Sequence, residues 1–231
     1  MQLPIKASAR FPLGGADWPR KLLIGGATGL VLELLFVGLT YLASEEAAFG
    51  IAPLTLVLNF PALGYALEVY RGTLRGEVGA LPEWDKWPDL LRRGLIGFAI
   101  GLSYGVIPIL IVLLGLSLLV KGGVLLFLGM VLMLLGLLAG VFMLFFLPMA
   151  LAHYLGQRRI EAAFHPGILW DGINAVLAEY VATYLLSLGS YILASLIAAV
   201  PYFGGLIWPF LCFYLLLVQA RLFGEICGKA A

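Results

Sequence analysis

The chain has few of the residues that most enzymes and metalloproteins use for chemistry. Of its 231 residues only 12% are charged, two are cysteines and two are histidines. Cys212 and Cys227 are too few for a disulfide framework, and without clustered histidines they form no zinc-site pattern. Walker A, GxGxxG and HExxH motifs are absent, which excludes the common nucleotide and zinc signatures. We predict no metal site, no cofactor and no enzymatic activity.

Charge also argues against a nucleic-acid partner. The formal net charge is only +1, and no basic patch is large enough to neutralise a run of phosphates. Hydrophobic residues instead make up 62% of the chain, above the roughly 45–50% of soluble domains. The predicted partners are the lipid bilayer and other membrane-protein subunits, with no nucleic acid.

Six apolar stretches of about 20 residues are each long enough to cross a bilayer. They lie near 21–43, 49–70, 94–119, 123–151, 176–199 and 204–223. The fold class that they predict is an all-α polytopic membrane protein. The predicted organisation is a cytoplasmic segment 1–20, a six-helix transmembrane domain 21–223 and a cytoplasmic tail 224–231.

Basic residues are distributed unevenly between the two sides of these spans. Thirteen of the fourteen Lys and Arg residues fall in the gaps on one side, and only Lys121 falls on the other. The positive-inside rule places the basic side, with both termini, in the cytoplasm. The predicted location is the cytoplasmic (inner) membrane of a prokaryote, with the chain crossing it several times.

Similar segments precede every second span. Asp17-Trp18-Pro19, Lys86-Trp87-Pro88 and Trp170-Asp171 each place a tryptophan at a predicted membrane boundary, where its amphipathic ring is stable. The pattern predicts six transmembrane helices arranged as three parallel hairpin repeats. The alternative is that Trp and Pro recur at membrane interfaces without any repeat.

Two cytoplasmic segments, 82–93 and 165–174, have the composition of interfacial amphipathic helices. In the first, Trp84 and Trp87 lie at helix-compatible spacing, and Arg92 and Arg93 follow them. A plain membrane anchor is one interpretation of this segment. A docking surface for a partner is the other, with these four side chains as the contacts.

A resemblance to a known family rests on this same region. Gly64-Tyr65 and Arg71, followed by Leu81-Pro82-Glu83-Trp84-Asp85, resemble the motif of a widespread bacterial and archaeal family of integral membrane proteins. That family is catalogued only as a domain of unknown function. The resemblance covers most of the chain and weakens toward 200–231. It implies a multi-span, all-helical protein and supplies no activity or binding residues.

Glu33 is the outstanding polar residue within the spans, because a charge at the centre of a bilayer is costly. By helical rise it should lie at the same depth as Asn59 on the neighbouring span. Pro61 should free the carbonyl oxygen of Val57 and so break that span near the same depth. Three roles remain open for Glu33: a structural hydrogen bond to Asn59, a contact with another subunit, or a transport site.

Small residues recur every four positions on two predicted spans. Such faces let helix backbones approach closely in lipid. The predicted helix-packing residues are Gly97, Gly101, Gly105, Ser190, Ala194 and Ala198. Serines within spans are expected to bond to their own helix backbone.

The sequence therefore favours a non-enzymatic membrane protein that serves as a structural or accessory subunit of a larger complex. The alternative is a small transporter or channel that uses Glu33, Asn59 and Pro61. An enzyme acting on lipid would need His153 or the Arg158–Arg159 pair in a catalytic role, and their spacing does not single them out.

Overall fold

A computed structural model describes residues 5–42, 57–77, 79–200 and 203–230, and within these ranges the chain forms helices and no strand. The all-α prediction is confirmed. The α-helices are α1 (Ile5–Arg10), α2 (Trp18–Leu42), α3 (Phe60–Leu74), α4 (Trp87–Leu119), α5 (Gly123–Gln157), α6 (Pro166–Ala175), α7 (Leu177–Ala198) and α8 (Phe203–Cys227). Short 3-10 turns occupy Phe11–Leu13, Val57–Asn59 and Ile160–Phe164.

Four of the described helices, α4, α5, α7 and α8, are long and apolar enough to cross a membrane. They coincide with the last four predicted spans, and they indicate a multi-pass membrane protein. α2 covers the first predicted span, whereas the second, 49–70, lies only partly within the described residues.

Proline marks the start of several helices. Pro19, Pro61, Pro88 and Pro166 lie at the first or second residue of α2, α3, α4 and α6. The ring is tolerated there because the first turn of a helix has no partner for the missing N–H. The predicted interfacial helix 82–93 is for this reason not a separate element. Its second half is the beginning of α4, and residues 81–86 are irregular. The other predicted interfacial segment, 165–174, closely matches α6.

The chain divides into two compact units. The terminal unit consists of Met1–Gly97 and Gly172–Ala231, and the hairpin unit of Phe98–Asp171. In the terminal unit, α8 packs against α2, α3 and α7. The short α1 also lies on α8, where the Tyr214 hydroxyl donates a 2.7 Å hydrogen bond to the Ala9 carbonyl oxygen.

The hairpin unit is built from the larger part of α4 and all of α5. Gly122 and Gly123 connect the two helices with positive φ values of 70° and 58°, a conformation that glycine adopts without steric cost. After α5, the 3-10 turn Ile160–Phe164 folds back against that helix. Few side chains of the paired helices are buried, as expected for a surface in contact with lipid.

Candidate functional site

In the terminal unit, polar contacts from α2 hold the irregular segment Leu81–Trp84. We call this set of contacts the clamp. The side chain of Lys21, at the start of α2, is buried. Its ammonium donates to the Leu81 carbonyl oxygen at 2.8 Å and lies 2.5 Å from the Glu83 carboxylate. The Trp84 indole N–H donates in return to the Lys21 carbonyl oxygen at 3.2 Å. A buried ammonium must be paired in this way, because desolvation is costly for a lone charge.

Aromatic rings hold the same segment from α3 and α8. Tyr65 stacks on Trp84 with ring centroids 4.3 Å apart and an interplanar angle of 12°. Its hydroxyl donates to the Pro82 carbonyl oxygen at 2.7 Å. The ring centroids of Phe213 and Trp87 lie 6.0 Å and 5.3 Å from that of Trp84. The cluster fixes the path of the chain between α3 and α4.

Two glycines bring those helices together. A Cβ added to Gly64 would overlap the Leu90 carbonyl oxygen, and one added to Gly94 would overlap the Phe60 carbonyl oxygen. Backbone faces backbone at this crossing, so no side chain could move aside to make room. The Gly64-Tyr65 pair therefore has two linked roles: Gly64 allows the crossing, and Tyr65 then reaches the clamp.

An ion-pair network extends the cluster along α3. Glu68 is paired with Arg93 of α4 and lies 3.9 Å from Arg71 on its own helix. Of the four predicted partner contacts, Arg93 and the half-buried Trp84 are thus engaged within the chain. Trp87 and Arg92 remain exposed.

Glu33 lies on α2 and faces α8, whereas Asn59 lies in the 3-10 turn before α3, and no hydrogen bond joins them in the described part of the chain. One carboxylate oxygen of Glu33 lies 2.9 Å from the position that a Cβ on Gly205 of α8 would occupy. The Asn59 amide oxygen lies 3.7 Å from the corresponding position on Gly29. Gly29 and Glu33 are one turn apart on α2, so the Asn59 amide approaches α2 one turn before the residue that carries the carboxylate.

Pro61 does not break the interior of a helix. The predicted second span would have put it there, but α3 begins at Phe60, and Pro61 lies in its first turn. The missing N–H therefore costs no helical hydrogen bond at that position. The 3-10 turn Val57–Asn59 immediately before α3 provides the local change in backbone conformation.

Comparison of the chain with protein-family models identifies a family. Residues 48–203, well over half of the chain, match the model described as "Protein of unknown function (DUF4013)". The chain belongs to this family. The predicted resemblance to a family of unknown function is consistent with the match. No curated protein and no solved structure matches the chain.

The DUF4013 match includes one half of the clamp and not the other. Gly64, Tyr65 and the segment Leu81–Trp84 lie within the matched residues. Lys21 and Phe213, which hold that segment, lie outside them. The clamp is thus completed here by residues on either side of the matched range.

The predicted packing residues of this DUF4013 protein differ in how closely they contact other helices. A Cβ on Gly97 would overlap the Leu67 side chain of α3, whereas Gly105 has only Ile109 of its own helix within reach, at 3.6 Å. Gly101 makes an ordinary contact with Leu147, 3.8 Å from its Cβ position. On α7, Ala194 is buried. Ser190 donates to the Ser187 carbonyl oxygen at 2.7 Å, and Ala198 is half-buried.

Several close helix approaches involve glycines outside the predicted set. Gly115 and Gly129 face each other across the α4–α5 hairpin: a Cβ on Gly129 would lie 2.6 Å from the Gly115 carbonyl oxygen. On α2, a Cβ on Gly25 or Gly26 would overlap the rings of Phe213 and Phe210. Gly25 and Gly29 on α2 also follow the four-residue pattern of small residues, but no such spacing marks Gly115.

A five-residue pattern in α4 matches a motif known from hydrolases. Gly101-Leu102-Ser103-Tyr104-Gly105 matches Gly-x-Ser-x-Gly, which in hydrolases forms a strained turn between a strand and a helix. Here the five residues lie inside α4, and the Ser103 hydroxyl donates to the Ala99 carbonyl oxygen at 2.8 Å. The pattern therefore forms no nucleophile elbow. In the described ranges, no group of three or more His, Cys, Asp or Glu residues is placed to hold a metal ion.

Proposed function

We propose that this protein is a non-enzymatic accessory subunit of a larger membrane complex in the inner membrane of a prokaryote. The proposed topology has six spans, arranged as three parallel hairpins, with both termini in the cytoplasm. α2 and α4 support the repeat because both begin at a Trp-Pro pair.

The observation that carries this proposal is the length and exposure of the hairpin unit. α4 has 33 residues and α5 has 35, so each is about 50 Å long. The hydrocarbon core of a bilayer is only about 30 Å thick. In the most apolar stretch of each helix just 11% of the residues are buried, against 44% in α8.

The turn between α4 and α5, at the tip of the hairpin, carries strongly exposed apolar side chains. Val120 and Val124, on either side of the turn, are 87% and 86% exposed, and Phe127 is 69% exposed. Apolar side chains at the end of an overlong helix pair are covered either by the bilayer, through helix tilt or local thickening, or by another protein. A neighbouring subunit that packs on the tip would supply that cover.

The test is to extract the protein from its native membrane in mild detergent, size the particle and identify everything that travels with it. The proposal predicts a large particle with defined companions. Phe127→Ser should release a companion, because it removes an exposed apolar contact at the tip. Phe203→Ser is the matched control, since Phe203 is also 69% exposed and lies at the beginning of a helix in the terminal unit. A lone or purely homo-oligomeric particle would contradict a subunit role.

A second candidate is a small transporter or channel, favoured by the position of Glu33. Its carboxylate lies between two helices, and the described residues form no hydrogen bond or ion pair with it. The 3-10 turn Val57–Asn59 packs against α2, and its Asn59 amide oxygen lies near Gly29, one turn before Glu33. Polar groups beside interrupted helices are typical of ion sites in transporters.

Glu33→Gln separates the two candidates, because it keeps the shape of the side chain and removes the charge. The subunit proposal predicts a change in thermal stability alone. Transport predicts loss of ion or solute flux in proteoliposomes, with the protein still folded. Asn59→Asp, which adds a charge beside Gly29, should also alter flux only if this site conducts.

A further inference from the structure

A preformed groove lies within the hairpin unit, between α4, α5 and the segment that follows α5. Its volume is about 450 Å³, within the range of small-molecule sites in proteins. Tyr104 and Ile107 of α4 form one wall, and Phe142 and Phe146 of α5 form the other. Phe164, Pro166 and Leu169 close one end.

Contacts between the lining residues hold the groove open. The Tyr104 hydroxyl donates to the Ala163 carbonyl oxygen at 2.6 Å, and its ring stacks on Phe164 with centroids 5.9 Å apart. Phe146 packs edge-on against Phe142 at 5.3 Å and lies 6.2 Å from Trp170. Each wall is thus fixed by a second residue, so a ligand would not have to order them.

The lining specifies an apolar ligand. Its two hydroxyl groups, those of Ser103 and Tyr104, already donate to backbone carbonyl oxygens. The remaining lining side chains are aliphatic, aromatic or thioether groups. A polar solute would lose its hydration without gaining hydrogen bonds, whereas a hydrocarbon chain would bury apolar surface.

The position of the groove matches one leaflet of a bilayer. Phe146 lies 12 residues before Arg158 along α5, about 18 Å by helical rise, and half of the hydrocarbon core is about 15 Å thick. Arg158 and Arg159 are exposed at that end of α5. Arg159 is paired with Glu161, while Arg158 has no ion pair in the described part of the chain. Basic side chains at this level attract anionic headgroups.

We propose that this groove binds one acyl chain of an anionic phospholipid, with the headgroup held at Arg158 and Arg159. The proposal does not depend on the subunit role. A second groove on the same hairpin, about 390 Å³ and lined by Pro108, Val112, Gly136 and Leu137 among others, is formed by aliphatic residues and glycine alone. It provides an internal comparison, because it offers similar space without aromatic walls.

The first experiment is native mass spectrometry of the purified chain, delipidated in detergent and titrated with phosphatidylglycerol or phosphatidylcholine. The wild type should retain one phosphatidylglycerol per chain. Ser103→Trp fills the groove and should weaken retention about tenfold, which corresponds to the lost burial of roughly two methylene groups. Leu137→Trp, which fills the second groove, should retain lipid as the wild type does.

The headgroup is tested separately. Replacing Arg158 and Arg159 together by Ala should abolish the preference for phosphatidylglycerol over phosphatidylcholine. Equal retention by Ser103→Trp and the wild type would overturn the proposal, and so would equal loss in the Leu137→Trp control. Helix content by circular dichroism establishes that each variant is folded.

A cross-linking experiment decides the matter without a bulky substitution in the groove. A diazirine amino acid the size of leucine at the position of Ile107 should yield, in native membranes, an adduct with the mass of a phospholipid. The same residue at the position of Leu138, which is 58% exposed and lines neither groove, serves as the background. An adduct with a protein, or no phospholipid adduct above background, would overturn the proposal.

Discussion

The two units of this chain are stabilised in contrasting ways. In the terminal unit, contacts join residues far apart in sequence: Lys21 to Leu81, Tyr65 to Pro82 and Tyr214 to Ala9. In the hairpin unit, α4 and α5 are consecutive helices that cross at Gly115 and Gly129. The terminal unit is thus held together by polar contacts, whereas the hairpin unit exposes a largely apolar surface.

The difference indicates where each kind of function is expected. A unit held by buried polar contacts has a specific internal structure, since each contact requires one arrangement of its partners. A hairpin held by glycines leaves most of its side chains outward, available to lipid or to another protein. The exposed surface and the groove both belong to the second unit.

The largest effect is expected at the crossing of α3 and α4. Gly64→Ala or Gly94→Ala would force a methyl group into a facing carbonyl oxygen, so we expect a loss of about 3 kcal/mol or more of unfolding free energy. Detergent-solubilised variants can be compared by denaturant or thermal unfolding. Gly189→Ala, in α7 of the same unit, has no atom within 4 Å of the new methyl group. It should be neutral or slightly stabilising, and an equal loss there would refute the steric argument.

A somewhat smaller effect is expected in the hairpin unit. Gly129→Ala should separate α4 from α5 and cost about 1–3 kcal/mol. Hydrogen exchange should accelerate in peptides around residues 111–135 and stay unchanged at 60–77, if the units are stabilised independently. Gly105→Ala, which contacts only its own helix, is the control. Faster exchange in both regions would show that the contrast between the units is wrong.

Removal of the buried ammonium should destabilise the clamp more modestly. Lys21→Met leaves the Leu81 carbonyl oxygen without its donor, which we expect to cost about 1–3 kcal/mol. Lys86→Met, at an exposed position in the same segment, should have almost no effect. Glu83→Gln should cost at most about 1 kcal/mol, because the Glu83 side chain is 64% exposed and the pair is screened by solvent.

The smallest effect is expected from a single hydroxyl group. Tyr65→Phe keeps the ring on Trp84 and removes only the hydrogen bond to Pro82, a loss of about 0.5–1.5 kcal/mol. Tyr65→Leu also removes the aromatic stack, so its unfolding should occur at a distinctly lower temperature. Equal midpoints for the two variants would mean that the stack contributes nothing.

The same contrast explains what could be predicted from the sequence. Hydropathy was sufficient to predict α4, α5, α7 and α8, because composition over about 20 residues determines whether a helix can span a membrane. The clamp was not predictable, since Lys21 and Leu81 are 60 residues apart and no local pattern relates them. The start of α3 at Phe60 was not predictable either, because an apolar run does not reveal where within it a helix begins.

The pairing of α2 with α8 also has a consequence for synthesis. The glycine face of α2 packs against Phe210 and Phe213, which are translated near the end of the chain. At about 5–20 residues per second, that face waits on the order of ten seconds or longer for its partner. During this interval Glu33 is in the nascent chain without the helix that later covers it. Nascent chains that end before α8 should therefore be retained by the insertion machinery or degraded, whereas full-length chains are released.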